Sequence, residues 1–383
     1  MSVFKKFSQT SSPGYMIQLD SLRALAVFGV VLEHYIPDSV YGSLLAAWEP
    51  AFPLEWGSGV TLFYVLSGFL IAGILLRCRD IVSSNKQSIG FTLKRFYIRR
   101  FLRIFPIYYL ALAVAAILFK KVRSDFLWHL TYTTNIMIFV QNSWDIYASH
   151  FWSLAMEEQF YLIWPLVILL LPQKQLLRAI LITIALAPIF RFIGYYGLGL
   201  SSIQITVFPL ASLDAFGLGA LLAFYTHNHN QFKNAKQNLC NCGLWICLPL
   251  LVFFTIVSFG FGGTVLLNAL IRPTVLAVFF VWLINGAAKG FGGVLGKVLE
   301  LKPLVFLGKI SYGIYVYHYF MNPIFDHIFW YFNLVNSIPL LFVFILKVIA
   351  TLAIAIPSWF LVEKPINNFK KHFGYEKALL KLS

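Results

Sequence analysis

The chain has 383 residues, of which 59% are hydrophobic and only 12% charged, with a formal net charge of +15. That composition excludes a soluble domain and points to an all-α polytopic membrane protein. The positive charge does not point to nucleic acid, because Lys and Arg lie between apolar runs, where they anchor loops by the positive-inside rule.

The N-terminal MSVFKKFSQTSSPGYM is polar and lacks an apolar core, so no signal peptide is expected. The first apolar run, LDSLRALAVFGVVLEHY, carries Asp20, Arg23, Glu33 and His34. Ionisable groups in a membrane span cost about 2.5–3.5 kcal/mol each, so they are retained for a reason. At about 100° per residue, Arg23 and His34 fall within roughly 20° of one helix face and about 16 Å apart along the axis. Asp20 and Arg23 are i,i+3 neighbours able to pair. The alternative is a helix whose charged ends snorkel to the membrane surfaces.

About ten transmembrane segments are expected, near 18–37, 58–77, 104–119, 152–171, 179–197, 204–225, 243–260, 264–285, 304–325 and 339–361. Most of the 30 Lys and Arg residues then fall in loops on one side, against Lys120, Lys121 and Arg123 on the other. Both termini are expected in the cytoplasm. Residues 124–151 are apolar enough for a re-entrant or interfacial segment. The whole chain, 1–383, reads as one membrane domain with short tails about 1–17 and 362–383. Its four cysteines, Cys78, Cys240, Cys242 and Cys247, read as reduced thiols with no zinc spacing.

The basic loop before the third span ends in KRFYIRRFLRIFPIYYL, with Pro106 near the expected helix start. Arg95, Arg99, Arg100 and Arg103 form a row that can hold phosphates or anchor the chain on anionic lipid. The fourth span opens HFWSLAMEEQFYLIWPL, bringing Ser153, Glu157 and Glu158 to about the depth of His34. Arg191, Arg272 and a mid-span Asp214 either pair within the bundle or line a substrate cavity. The ninth span, GKISYGIYVYHYF, carries a polar stripe of Ser311, Tyr315 and His318, although a lone histidine is often only a satisfied core residue. VEKPINNFKKHFG reads as a helix stop at Pro365 and an anchor. Phosphate-loop, zinc-protease and nucleophile-elbow motifs are missing, and no internal repeat of a transporter is evident.

Six stretches, LDSLRALAVFGVVLEHY, LFYVLSGFLI, RRFLRIFPIYY, FWSLAMEEQFYLIWPL, ISYGIYVYHY and VEKP, occur in order along essentially the whole chain. In this the chain resembles the acyltransferase 3 family of membrane O-acyltransferases that modify bacterial surface sugars, in its form lacking a C-terminal hydrolase-like domain. Where many relatives read Ser-x-Glu, this chain has Ala155-Met156-Glu157. The resemblance implies an acyl-CoA donor, acetyl-CoA foremost, and a glycan or glycolipid hydroxyl as acceptor, with no metal. It implies a location in the bacterial inner membrane. Donor phosphates would meet Arg95, Arg99, Arg100 and Arg103. His34 would act as base or transient acyl carrier, with Glu157 orienting it or the sugar and Arg23 steering the donor. Asp20, Ser153, Arg191, Arg272, Tyr315 and His318 are the expected substrate-binding positions. Nothing in the sequence sets an oligomeric state. A glycolipid transporter or flippase without acyl transfer is the competing reading.

Overall fold

A bilayer offers no water to unpaired backbone groups, so the apolar runs must satisfy their hydrogen bonds internally. The computed structural model describes residues 16–36, 58–84, 87–261, 266–332 and 338–375, and every regular element among them is helical. The protein is an all-α polytopic membrane protein, with eight described helices long and apolar enough to cross a membrane. The helices that frame the site are α1 (Ile17–Tyr35), α2 (Ser58–Ser83), α3 (Ile89–Leu118), α4 (Phe151–Leu170), α5 (Gln173–Phe192), α6 (Leu213–His227), α7 (Leu248–Phe261), α8 (Arg272–Lys289), α9 (Ser311–His318) and α10 (Leu340–Ser358). Residues 1–15 of the expected N-terminal tail lie outside the described part.

Several expectations about element boundaries are corrected. The basic stretch before the third span is no loop: α2 extends to Ser83, and α3 begins at Ile89 with Ser88 as its N-cap. Pro106 lies inside α3 rather than at its start. Membrane helices tolerate such a proline because neighbouring groups re-satisfy the freed backbone. Asp214 sits in the first turn of α6, not midway along its span. The span expected over 304–325 is broken into Lys302–Lys309, Ser311–His318 and Met321–Tyr331. Nor does Pro365 stop the last helix. Helical structure continues beyond α10 through Trp359–Glu363, Lys364–Asn368 and Phe369–Phe373, and its end packs against α3. Residues 124–151 hold only short helices, Phe126–Leu130 and Thr134–Gln141, none long enough to cross.

Small residues let the site-forming helices approach closely. A Cβ added at Gly68 of α2 would lie 2.1 Å from the Phe216 carbonyl oxygen, and one at Gly219 of α6 would lie 2.1 Å from that of Val65. Gly308 presses its backbone against the Asp20 carbonyl of α1. Arg191 of α5 bonds Asp214 at 2.7 Å, the Ala211 carbonyl at 2.8 Å and Thr274 of α8 at 2.5 Å. Thr274 also donates to Asp214 at 2.6 Å, so three helices are fastened at one end of the bundle.

Candidate active site

Two cavities share a boundary. The first, about 180 Å³, is walled by α2, α3, α4, α9 and Arg23 of α1. The second, about 300 Å³, opens toward the basic end and is lined by Asp20, Arg23, Arg103, Lys309, Glu363 and Lys370 among others. Arg23, Arg103 and Tyr312 line both. Arg23 is aimed there by its bond to Asp20 at 2.5 Å, one turn back on α1.

Glu157 and Glu158 both line the first cavity. Glu157 accepts from Ser67 of α2 at 3.0 Å and from Tyr161, one turn along α4, at 3.0 Å. The two hydroxyls are themselves 2.8 Å apart, closing a ring. Glu158 is 8% exposed, and its Oε1 has no hydrogen-bond partner among the described residues. Ser153 bonds the hydroxyl of Tyr315, which also reaches the His150 carbonyl at 3.1 Å.

Beyond Ser153 and Tyr315 lies a histidine cluster. His318 is fully buried, with Nδ1 2.6 Å from the Tyr315 carbonyl oxygen and Nε2 3.0 Å from Nδ1 of His34. A carbonyl only accepts, so Nδ1 of His318 holds the proton and its neutral ring presents a lone pair at Nε2. His34 must then donate from Nδ1, which leaves its own Nε2 as the unprotonated nitrogen. Tyr319 meets the His34 ring edge-on at 5.0 Å between centroids, and Asn322 donates to the His34 carbonyl at 3.0 Å. The Tyr35 hydroxyl donates to the His318 carbonyl at 2.7 Å. Buried Lys347 of α10 donates to Asn322 at 2.9 Å. The break between α9 and the next helix puts irregular backbone where membrane proteins tolerate it, inside the protein, with Phe320 and Met321 buried.

The expected site residues are thus divided. Arg23, Arg100, Arg103, Ser153, Glu157 and Tyr315 meet around the first cavity, and Asp20 lines the second. His34 and His318 pair with each other and line neither cavity. Glu157 therefore does not orient His34, because Ser67 and Tyr161 take its oxygens on the α2 side. Arg191 and Arg272 also line neither cavity. Arg191 serves the α5–α6–α8 fastening, and Arg272 lies 3.5 Å from Thr255. Of the arginine row, Arg95 and Arg99 turn to the C-terminal carbonyls of His372, Lys370 and Phe373. Sequence reasoning brought Glu158 to the depth of the site without a role and missed Ser67, Tyr161, His150, Lys309 and Lys370. Ser67 stood in a quoted motif, and Glu158 adjoined the chosen carboxylate. No group of His, Cys, Asp and Glu suited to a metal ion occurs among the described residues.

Fold and site define a polytopic helical membrane protein with a basic cavity at one end and paired histidines near the other. The family profile described as an acyltransferase domain matches residues 16–360, and the chain belongs to the acyltransferase 3 family. It is 28% identical to the peptidoglycan O-acetyltransferase OatA of Listeria monocytogenes, over 94% of this chain and 57% of that protein. It is 28% identical to the O-acetyltransferase OatA of Staphylococcus aureus, over 95% of this chain and 59% of that protein. The chain therefore spans less than two thirds of the length of these curated relatives. No solved structure matches it.

Proposed function

We propose that the protein transfers an acyl group, acetyl foremost, from cytosolic acyl-CoA to a hydroxyl of an extracytoplasmic glycan of the peptidoglycan kind. The supporting observation is the His34–His318 pair at the end of the helix stripe that begins at Arg23: with both rings neutral, the pairing puts the lone pair of His34 on Nε2. Membership in the acyltransferase family and the names of the two relatives support the reaction and the acceptor. In this reading the chain is one domain of the bacterial inner membrane. Its basic end and both termini face the cytoplasm, by the positive-inside rule.

Arg23, Arg100 and Arg103 draw in the anionic donor, and the first cavity takes its pantetheine arm, with the thioester carried past Ser153 and Tyr315 toward His34. The cavity wall is apolar along α2, from Val60, Phe63, Leu66, Leu70 and Ile71, and Ser67, Glu157, Tyr161, Ser153 and Tyr315 are polar groups held in place by their mutual hydrogen bonds. Nε2 of His34 removes the proton of the acceptor hydroxyl, whose oxygen attacks the thioester carbon. A C–O bond forms, the C–S bond breaks, and the proton passes to the leaving thiolate. Should His34 instead carry the acyl group, the same lone pair attacks first and the sugar hydroxyl displaces it. Glu157, held by Ser67 and Tyr161, fixes the donor in the cavity.

The test is incubation of membranes holding the wild type or His34→Ala with labelled acetyl-CoA, following label into glycan. Labelled ester from wild type alone, with the variant still in the membrane, is expected. Equal label from both removes His34 from the chemistry, and label from neither favours a transporter that forms no ester.

A further inference from the structure

The row of arginines on α3 does two different jobs. Arg95 donates to the His372 carbonyl at 2.8 Å, and Arg99 donates to those of Lys370 at 2.8 Å and Phe373 at 3.4 Å. These belong to the short helix Phe369–Phe373, whose last carbonyls have no partners of their own and carry its negative dipole end. Guanidinium stacking strengthens the hold: Arg95 lies over Phe373 at 5.2 Å, and Arg99 over Tyr375 at 5.1 Å. Neither arginine lines either cavity. Their donors are engaged in fastening the C-terminal segment to α3.

That segment supplies one wall of the larger cavity, through Glu363, Asn367 and Lys370. Lys370 is half-buried and bonds the Asn367 side chain. The same cavity is lined by Lys309, Arg103 and Arg23, so it gathers four basic side chains against the two acidic ones of Asp20 and Glu363. Asp20 is already engaged by Arg23. Like charges crowded into a partly desolvated cavity repel one another unless an anion enters.

We propose that the strapped C-terminal segment builds an anion site, with Lys370 and Lys309 joining Arg103 to hold the phosphate esters of the nucleotide end of the donor. This rests on the acyl-CoA reading above and adds residues from two elements outside α3. Phosphate fits because its oxygens accept several charge-assisted bonds at once. A lipid headgroup offers the same chemistry, so the test separates the two sources.

The full chain is placed in nanodiscs of phosphatidylcholine, and coenzyme A binding is measured for wild type, Lys370→Ala, Lys309→Ala, Lys370→Arg and Arg99→Ala. Each alanine at a lysine should weaken binding by about tenfold, the effect of one lost charge-assisted contact. Lys370→Arg should stay within about threefold of wild type, which shows that charge and not packing is read. Arg99→Ala should also weaken binding, by loosening the strap. Binding of pantetheine, which carries no phosphate, should be equal in all variants. Wild-type binding with an unchanged Lys370→Ala affinity overturns the proposal alone, whereas no coenzyme A binding by wild type removes it together with the donor reading. If Lys370→Ala leaves coenzyme A affinity intact but strips phosphatidylglycerol from protein prepared in that lipid, the site belongs to a headgroup and the proposal falls.

Discussion

His318 fixes which nitrogen of His34 carries a proton. With Nδ1 of His318 2.6 Å from the Tyr315 carbonyl oxygen and its Nε2 3.0 Å from Nδ1 of His34, only one neutral tautomer of each ring satisfies both bonds. In the proposed reaction His318 therefore acts through His34 as a positioning residue, in the manner of the group that orients a catalytic histidine.

His318→Ala should lower the rate of transfer by about 10²-fold, the lower end of what a placed general base contributes. The KM for the donor should stay near that of wild type, because His318 lines neither cavity. His318→Gln should recover part of the rate, since its amide oxygen can accept from Nδ1 of His34. Initial rates with labelled acetyl-CoA decide the matter. A His318→Ala enzyme at full rate would show that the pair has no part in the chemistry.

Glu157→Gln keeps the shape of the ring formed with Ser67 and Tyr161 but removes the charge that both hydroxyls serve. Transfer should fall about tenfold or more, equivalent to ~1.4 kcal/mol of lost stabilisation. Protein yield and the melting curve in detergent should change little. Ser67→Ala should produce a smaller loss in the same direction, because Tyr161 still holds the carboxylate. Unaltered product formation in Glu157→Gln would exclude this group from the reacting complex.

The spans and the α1 stripe were legible because membrane length and the 3.6-residue period leave a direct mark on a sequence. Arg23 needs only Asp20, three residues away, to be aimed, and that neighbour is visible in the chain. Which helix each side chain meets was not legible. Glu157 faces Ser67 rather than His34 because of how α2 and α4 are rotated within the bundle. The arginine row misled for a related reason: α3 is already helical from Ile89, so Arg95 and Arg99 reach the C-terminal carbonyls while Arg100 and Arg103 line the first cavity. The helical C-terminal segment that Arg95 and Arg99 fasten looked like a tail, since Pro365 resembled a stop. Long-range packing also recruited His150, which sits next to α4 in a segment with little periodicity. Its ring stacks on Tyr319 at 4.8 Å, and its Nε2 lies 3.1 Å from the Val316 carbonyl oxygen.

Gly68→Leu or Gly219→Val should separate α2 from α6. The added Cβ would lie 2.1 Å from a backbone carbonyl oxygen in either case, and a carbonyl cannot rotate away as a side chain can. Overpacking costs about 1–3 kcal/mol even where neighbours adjust, so a clear drop in the detergent melting temperature is expected. Gly73→Ala is the control, because only Arg77 Nη1, at 3.9 Å, is near its added Cβ. Replacing this helical glycine should leave the melting temperature unchanged or raise it, by up to about 1 kcal/mol of helix propensity. Similar melting for all three variants would mean that the helices do not meet where the structure puts them.

Arg191→Ala tests the assignment of that arginine to the framework and not to a substrate. Arg191 is 2% exposed and Asp214 1% exposed, so removing the cation strands a buried carboxylate that retains only Thr274 and its own helix N-terminus. Breaking such a pair costs about 3–5 kcal/mol. Asp214→Asn alone should also destabilise, since it leaves the guanidinium unneutralised. The double variant Arg191→Leu with Asp214→Asn should recover much of the loss, because neither buried charge then remains. Thermal unfolding of the four proteins in one detergent gives the comparison. At temperatures where each remains folded, the KM for acetyl-CoA should match that of wild type, because neither residue lines either cavity. A selective rise in KM with normal melting would instead make Arg191 a substrate contact.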